Sequence, residues 1–358
     1  MKNGKKINRA VLKDYLTYAA VALAFVVITI LDKQGFINNS TRGLLVPICC
    51  YIVMAVSLNL TVGILGELNL GHAGFMSVGA FSGVVASLSL AEAIPSPVIR
   101  LAIAMLVGAA FAAVVGLLIG LPVLRLRGDY LAIVTLAFGE IIKDLINALY
   151  VGQDSAGLHF GFNFRNNISS INDLHMEEGA KAIIKGAQGV TGNEKLATFA
   201  AGFVLIMITL FIVMNLVRSR AGRAIMALRD NRIAAESVGI NVTKYKLMAF
   251  AVSAALAGAA GALYASNYAS VKASTFDFNQ SILILMFVVL GGLGNIRGSI
   301  VAAIVLTILP EALRSFENLR MLIYAIVLIL VMIATNNPRV KTLISCIIPK
   351  KKGGPANE

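Results

Sequence analysis

The residue types that could do chemistry are sparse in this chain, and three of them stand together. Glu140, Lys143 and Asp144 interrupt an otherwise apolar run, and their spacing of three and four residues places them on one face of a helix. An ionisable side chain within a membrane span is costly and is therefore a candidate for lining a transport path. The same residues could instead form an ion pair that stabilises a bundle, or could lie near water. The sequence leaves these interpretations open.

Motifs typical of enzymes and of nucleotide or metal binding are missing from the sequence. The phosphate-binding pattern Gly-x4-Gly-Lys-Ser/Thr does not occur, so binding of ATP through such a loop is not expected. The glycine-rich run 292–298 follows no strand pattern, and we interpret it as a break between helices. The three histidines and three cysteines lack the spacing of metal ligands. We therefore expect no enzyme activity, no metal and no cofactor.

The elements that must position these residues follow from composition. Of the 358 residues, 58% are hydrophobic and 14% are charged, and the mean hydropathy is +0.82, which exceeds what a soluble core can hide. Apolar runs of roughly 20 residues, long enough to cross a bilayer as helices, recur along the whole chain. The net charge of +13 could suggest nucleic acid, but the basic residues lie between apolar runs. The sequence predicts an all-α, polytopic transmembrane helix bundle.

About eight to ten spans are predicted. The runs at 281–292 and 300–313 are shorter than the roughly 17 residues of a straight crossing, and glycines separate them, so they could form a short re-entrant hairpin. Asn59, a polar residue within the second span, is added to Glu140, Lys143 and Asp144 as a candidate for the translocation path. The predicted spans are 15–31, 44–62, 72–90, 99–124, 130–150, 196–217, 247–268, 281–292, 300–313 and 319–335.

The distribution of basic residues predicts the orientation. With both termini in the cytoplasm, twenty Lys and Arg residues lie on the cytoplasmic side and ten on the other, as the positive-inside rule requires. The chain then forms a single domain over 1–358, with basic cytoplasmic tails at about 1–14 and 339–358. The polar stretch at about 151–195 becomes an extracytoplasmic loop with a short helix near 176–184. The polar, glycine-rich segment 66–74 is either a functional break in the bundle or a simple turn.

Small residues recur at every fourth position in several runs. This spacing allows the backbones of neighbouring membrane helices to approach closely, so it predicts tight helix packing rather than a ligand site. The residues concerned are Gly79 and Gly83, then Gly108, Ala112, Gly116 and Gly120, and finally Ala254, Gly258 and Ala262.

The cytoplasmic loop at about 218–246 carries a pattern beyond its seven basic residues. Asp230 or Asn231 can cap a short helix, and Gly239 is suited to end it. Such a helix outside the bilayer could dock a partner. The predicted docking residues are Arg229, Asp230, Asn231, Ala234, Ala235 and Gly239.

At this loop the chain resembles the permease subunits of branched-chain amino-acid ABC importers, of the M type. Their loop of the form Glu-Ala-Ala-x3-Gly fits a cleft of the ATPase subunit. Ala234, Ala235 and Gly239 match it, whereas Ile233 stands where the acidic residue would be. Further runs similar to this family occur in order at 120–140, 222–224, 227–230, 289–294 and 310–314, and the resemblance covers about 46–338.

The resemblance implies a permease subunit for Leu, Ile and Val in a bacterial or archaeal cell membrane. Its partners would be a second related permease, two cytoplasmic ATPase subunits that hydrolyse ATP, an extracytoplasmic solute-binding protein and membrane lipid, with no nucleic acid. The outer loop departs from the family, because its glycine-rich segment 186–192 is displaced by an insertion, which makes contacts with the binding protein the least transferable feature.

The sequence is also compatible with three other functions. An ion-coupled secondary carrier would use Glu140 or Asp144 as its coupling site, and an ABC permease could serve another small solute. A channel or membrane scaffold would work without energy coupling.

Overall fold

The computed structural model of the protein describes residues 9–35, 38–126, 128–154, 157–163 and 181–314, together with positions 319, 322, 323, 325, 326, 328 and 329. The chain divides into two compact units, residues 1–304 and 305–358. In the second unit, the helix Ile296–Ala312 ends, and Arg314 directly after it forms an ion pair with Glu311 in its last turn (3.1 Å). The predicted single domain stays a prediction.

Helices make up most of the first unit, and the predicted all-α, polytopic helix bundle is confirmed. In the part of the chain that the structure describes, six helical segments are long and apolar enough to cross a membrane, namely Tyr15–Lys33, Thr41–Leu65, His72–Ser89, Pro97–Val123, Phe199–Arg218 and Val242–Ala265. The α-helices are α1 (Arg9–Lys33), α2 (Asn39–Asn59), α3 (His72–Ser89), α4 (Pro97–Val123), α5 (Asp129–Asn147), α6 (Phe199–Arg218), α7 (Arg220–Asp230), α8 (Arg232–Ser237), α9 (Val242–Ala265), α10 (Phe278–Gly291) and α11 (Ile296–Ala312). A π-helix (Leu60–Leu65) continues α2, and 3-10 helices cover Gly186–Gln188 and Ala273–Phe276.

Several observed helices differ in length or bounds from the predicted spans. Helix α5 has the length of a span but carries Asp129 in addition to the three charged residues already named. Helix α10 is short, with 14 residues, as predicted, whereas α11 has 17 residues and is longer than the predicted run 300–313. The chain between them turns at Gly292 and Gly294, whose φ angles are 92° and 79°. The predicted span 319–335 lies mostly outside the described residues. The number of crossings and the re-entrant character of the hairpin stay predictions.

Helices α3, α4 and α9 pack backbone against backbone. A Cβ atom on Gly258 of α9 would overlap the Gly108 carbonyl oxygen and the Ala112 Cβ of α4, and a Cβ atom on Gly79 of α3 would overlap the Gly258 backbone. The backbones of the three helices therefore touch where the small residues recur. This confirms the packing that the four-residue spacing predicts.

The stretch after α5 is a sheet, which the sequence did not predict. The predicted helix near 176–184 is wrong at 181–184, which form a strand, and 176–180 lie outside the described residues. The predicted span 130–150 ends too late, since α5 stops at Asn147 and a strand begins at Leu149. The antiparallel strands are β1 (Leu149–Asp154), β2 (Gly157–Phe162), β3 (Lys181–Lys185), β4 (Val190–Thr191) and β5 (Ser270–Val271), in the order β2-β1-β3-β4-β5.

Long-range pairing explains this error. Strand β5 pairs with β4 although almost 80 residues separate them along the chain. Val151, Ile183 and Ile184 are almost completely buried within the sheet. A stretch that looks polar on average can thus hold a few apolar residues that become buried only through distant partners.

Candidate coupling site and transport path

Helices α7 and α8 are short helices that follow the end of α6, and the sequence specifies their ends. Ser219 caps α7, since its Oγ accepts from Gly222 N–H (3.1 Å). Asn231 caps α8, since its Oδ1 accepts from Ala234 N–H (3.1 Å). Asp230 is the last residue of α7, so of the two predicted capping residues Asn231 has this role.

Gly239 ends α8 in the predicted manner. Its φ angle is 83°, in the left-handed region that glycine adopts without strain. Its N–H donates to the Glu236 carbonyl (3.0 Å) and the Ile240 N–H donates to the Ala235 carbonyl (3.1 Å), which is the Schellman pattern of a helix C-terminus. The predicted short helix and its glycine stop are confirmed.

The two alanines of α8 face in opposite directions. Ala235 is buried and packs against Leu228 and Val242, so its side chain anchors α8 to the bundle instead of facing a partner, while Ala234 is exposed. Ile233 and Val238 are 77% and 76% exposed. Sequence reasoning missed this apolar pair; the only signal was an apolar residue at 233 where the family has an acidic one.

Arg229 and Asn59, which sequence analysis assigned to different sites, lie close together. Arg229 Nη1 donates to the Gly63 carbonyl within the π-helix (2.6 Å). The buried Asn59 side chain accepts from Gly294 N–H (2.8 Å) and donates to Ser299 Oγ (2.9 Å). The structure thus joins α7, the end of α2 and the α10–α11 turn.

The charged group on α5 has defined partners. Lys143 forms an ion pair with Glu140, and the second carboxylate oxygen of Glu140 accepts from Phe278 N–H at the start of α10 (3.1 Å). Asp144 is exposed on the same helix. Glu140 therefore has a structural role as a cap for α10, and its role in a translocation path stays a prediction.

The segment 66–74 is a break inside the bundle. Asn69 and His72 are buried, and a Cβ atom on Gly71 would overlap the backbone of Thr135 in α5. The start of α3 is held by side chains of two other helices, because Leu70 N–H donates to Thr135 Oγ1 (3.1 Å) and Ala73 N–H donates to Ser281 Oγ (3.1 Å). No sequence pattern indicates this role for Thr135 or Ser281.

A cavity of about 300 Å³ lies beside α8. Arg232 borders it, and the ion pair between Lys246 and Glu67 forms part of its wall. Within the described ranges, no three His, Cys, Asp or Glu side chains are grouped so that they could hold a metal ion.

The bundle, its broken helices and its external short helices define a multi-pass helical membrane protein. A family model described as "Branched-chain amino acid transport system / permease component" matches residues 40–332. The chain belongs to this family of transport components.

Relatives agree with this assignment. The chain is 33% identical to the high-affinity branched-chain amino acid transport system permease protein LivM of Salmonella typhimurium and 32% identical to that of Escherichia coli, in each case over 92% of this chain and 75% of the relative. It is also 26% identical to the fructose import permease protein FruG of Bifidobacterium longum, over 88% of this chain and 87% of the relative. No solved structure matches the chain.

Proposed function

We propose that this chain is the membrane-spanning permease subunit of an ATP-driven importer for branched-chain amino acids. The family and the names of the LivM relatives support the substrate class. The observation that carries the energy coupling is α8, a capped helix beside the bundle, on which Ile233 is exposed together with Val238 directly after the helix.

One of the two ATPase subunits is the partner that α8 fits. An exposed apolar pair on a short, rigidly ended helix is a compact docking surface for a protein, and the buried Ala235 fixes this helix to α7 and α9. A force that an ATPase subunit exerts on α8 would therefore be transmitted to the bundle. ATP hydrolysis takes place on the ATPase subunits, and closure of the ATPases shifts the bundle between its inward-open and outward-open states.

A second permease is the partner that α5 fits. Glu140, Lys143 and Asp144 lie on a partly exposed face of α5, and charged groups facing lipid are costly. A related permease packed against this face would remove that cost. The translocation path then runs along α5 between the two permeases, past these three residues, with Asn59 on the same chain's inner side.

The expected location is the bacterial or archaeal cell membrane, with both termini in the cytoplasm. The twofold excess of basic residues on that side supports this orientation. The sheet β1–β5 then faces outwards, where a solute-binding protein delivers the solute.

A second candidate function is import of a different small solute by the same ATP-driven mechanism. The similarity to the fructose import permease protein FruG over most of both chains favours it. The identity to LivM is higher, and the branched-chain amino acids are therefore the first substrates to test.

Uptake by the reconstituted complex tests both candidates. The complex of this chain, the second permease, the ATPases and the binding protein is placed in liposomes, and uptake of labelled leucine, glutamate and fructose is compared. Leucine uptake should require ATP and the binding protein and should survive collapse of ion gradients. Uptake of fructose alone would establish the second candidate, and uptake by this chain alone on an ion gradient would establish a secondary carrier.

A further inference from the structure

Arg229 bridges a short helix beside the bundle and a broken helix within it. It lies in the last turn of α7, and its Nη1 reaches the Gly63 carbonyl in the π-helix (2.6 Å). Arg229 is otherwise exposed, so one side of its side chain contacts the bundle while the other remains open.

The Gly63 carbonyl needs a donor because the helix stops there. The N–H groups of Gly66 and Glu67 both donate to the Thr61 carbonyl, and Gly66 leaves the helix with a φ angle of 81°. Carbonyls in the last turn of a helix lack partners within it, and a cation is favourable at that end. Arg229 supplies both the donor and the charge.

Two glycines provide the space for this side chain. A Cβ atom on Gly66 would lie 2.9 Å from Arg229 Cγ, and one on Gly294 would lie 3.5 Å from Arg229 Nη1 and 3.3 Å from the Gly63 carbonyl oxygen. The guanidinium group therefore lies between the π-helix and the α10–α11 turn. Larger residues at 66 or 294 would crowd it.

The far side of the π-helix is bound to the same turn. Asn59, which directly precedes the π-helix, is completely buried, and both polar atoms of its amide contact Gly294 or Ser299. Arg229, the π-helix and Asn59 thus form one continuous connection from α7 to α11. A π-helix is a strained variant of the α-helix and occurs often at functional sites, which makes it suited to rearrange when α7 moves.

We propose that Arg229 is the positioning residue that transmits movement of α7 and α8 through the π-helix to the α10–α11 turn. The proposal rests on the proposed function, because the movement originates in the ATPase partners. The side chain contacts neither solute nor ATP in this account. Its loss should leave docking intact and separate ATP hydrolysis from transport.

The test compares Arg229→Ala with Arg223→Ala in the reconstituted complex. Arg223 is an exposed arginine on the same helix that donates to the nearby Arg218 carbonyl (3.2 Å), so it is a control of equal charge. For each variant, co-purification of the ATPases, ATP hydrolysis stimulated by the binding protein, and solute taken up per ATP are measured. The solute is the one that the unmodified complex takes up.

Arg229→Ala should retain the ATPases and their hydrolysis and should lower the uptake per ATP about tenfold, the scale of one lost charge-assisted hydrogen bond. Arg223→Ala should match the unmodified complex in all three measurements. Unchanged uptake per ATP in Arg229→Ala would overturn the proposal, and so would loss of the ATPases, because Arg229 would then act in docking. If the unmodified complex itself showed no ATP-dependent uptake, the proposed function would fail separately.

A double-variant cycle gives a second readout. If Arg229 and Asn59 act through one connection, Arg229→Ala combined with Asn59→Ala should reduce the uptake per ATP no further than the more severe single variant. Two reductions that simply multiply would show independent roles and would contradict the proposed connection.

Discussion

Two regions of the bundle are held together by different means. The glycine core, formed by α3, α4 and α9, is held by direct backbone contact at Gly79, Gly108 and Gly258. The break region, formed by residues 60–73 and 277–299, also has a close backbone contact at Gly71, but its helix ends are joined in addition by side-chain hydrogen bonds from Asn59, Thr135, Ser281 and Glu140. The first region offers one close-packed arrangement, whereas hydrogen bonds in the second can exchange partners.

The two kinds of contact differ in how easily they allow movement. Close-packed helices resist sliding because any displacement creates overlap or voids. Helix ends joined by single hydrogen bonds can move at a modest net cost, because each bond contributes only about 1 kcal/mol net. We infer that the glycine core is the fixed frame and that the break region moves during transport.

The largest loss of stability is expected in the glycine core. Gly258→Val should lower the free energy of unfolding by about 3 kcal/mol or more, since its branched side chain would overlap the α4 backbone. Melting can be followed with a thiol-reactive dye that reports exposure of the buried Cys49 and Cys50, in a Cys346→Ser background. Gly43→Ala is the control, because Gly43 lies in a helix with open space around it. Equal melting temperatures for the two variants would refute the distinction.

Asn59→Leu should cost about 1–3 kcal/mol, since it removes the acceptor of Gly294 N–H and the donor to the buried Ser299 hydroxyl. It should also reduce transport more than its loss of stability explains. The same melting assay and the uptake assay measure the two effects. A variant that melts early but still transports at the unmodified rate would argue that the break region is only structural.

Thr135→Val should cost about 1 kcal/mol, because valine keeps the shape of threonine but removes the acceptor of Leu70 N–H. Thr135→Ser retains the hydroxyl and is the matched control. If the serine variant were as unstable as the valine variant, packing of the methyl group would explain the effect instead.

Glu140→Gln should have the smallest effect on stability, since its amide oxygen can still accept from Phe278 N–H. Glu140→Ala removes this acceptor and should be less stable by about 1 kcal/mol. Uptake then separates the two open roles of Glu140. A stable Gln variant without transport would indicate that the charge serves the path, and normal transport would leave Glu140 as a cap.

Sequence reasoning succeeded where the signal was local. The apolar runs, the Asn231 cap, the Gly239 stop and the four-residue spacing of small residues each depend on neighbours within one helix. It failed where partners are distant in sequence, as for β5 with β4 and for Ser281 with Ala73. It also named Ala235 as a docking residue although its side chain is buried against the bundle, because a six-residue helix carries too little pattern to identify its buried face.

The contact of Arg229 with the π-helix also could not be predicted from local patterns, although its residues were noticed. Both Arg229 and Asn59 were recognised as candidate residues, but 170 residues separate them along the chain. Only the folded bundle brings a helix C-terminus, two glycines with positive φ angles and a guanidinium group to one place.

Distances between spin labels in the assembled importer would show whether the break region moves relative to the glycine core. One label at the exposed Thr243 on α9 is paired either with Leu118 on α4, within the glycine core, or with Leu293 in the α10–α11 turn. Pulsed electron paramagnetic resonance then records both distances with and without ATP. We predict an unchanged distance between 243 and 118 and a change of about 2 Å or more between 243 and 293, the scale of helix shifts in switching proteins. A change within the core pair, or two unchanged distances during active transport, would contradict it.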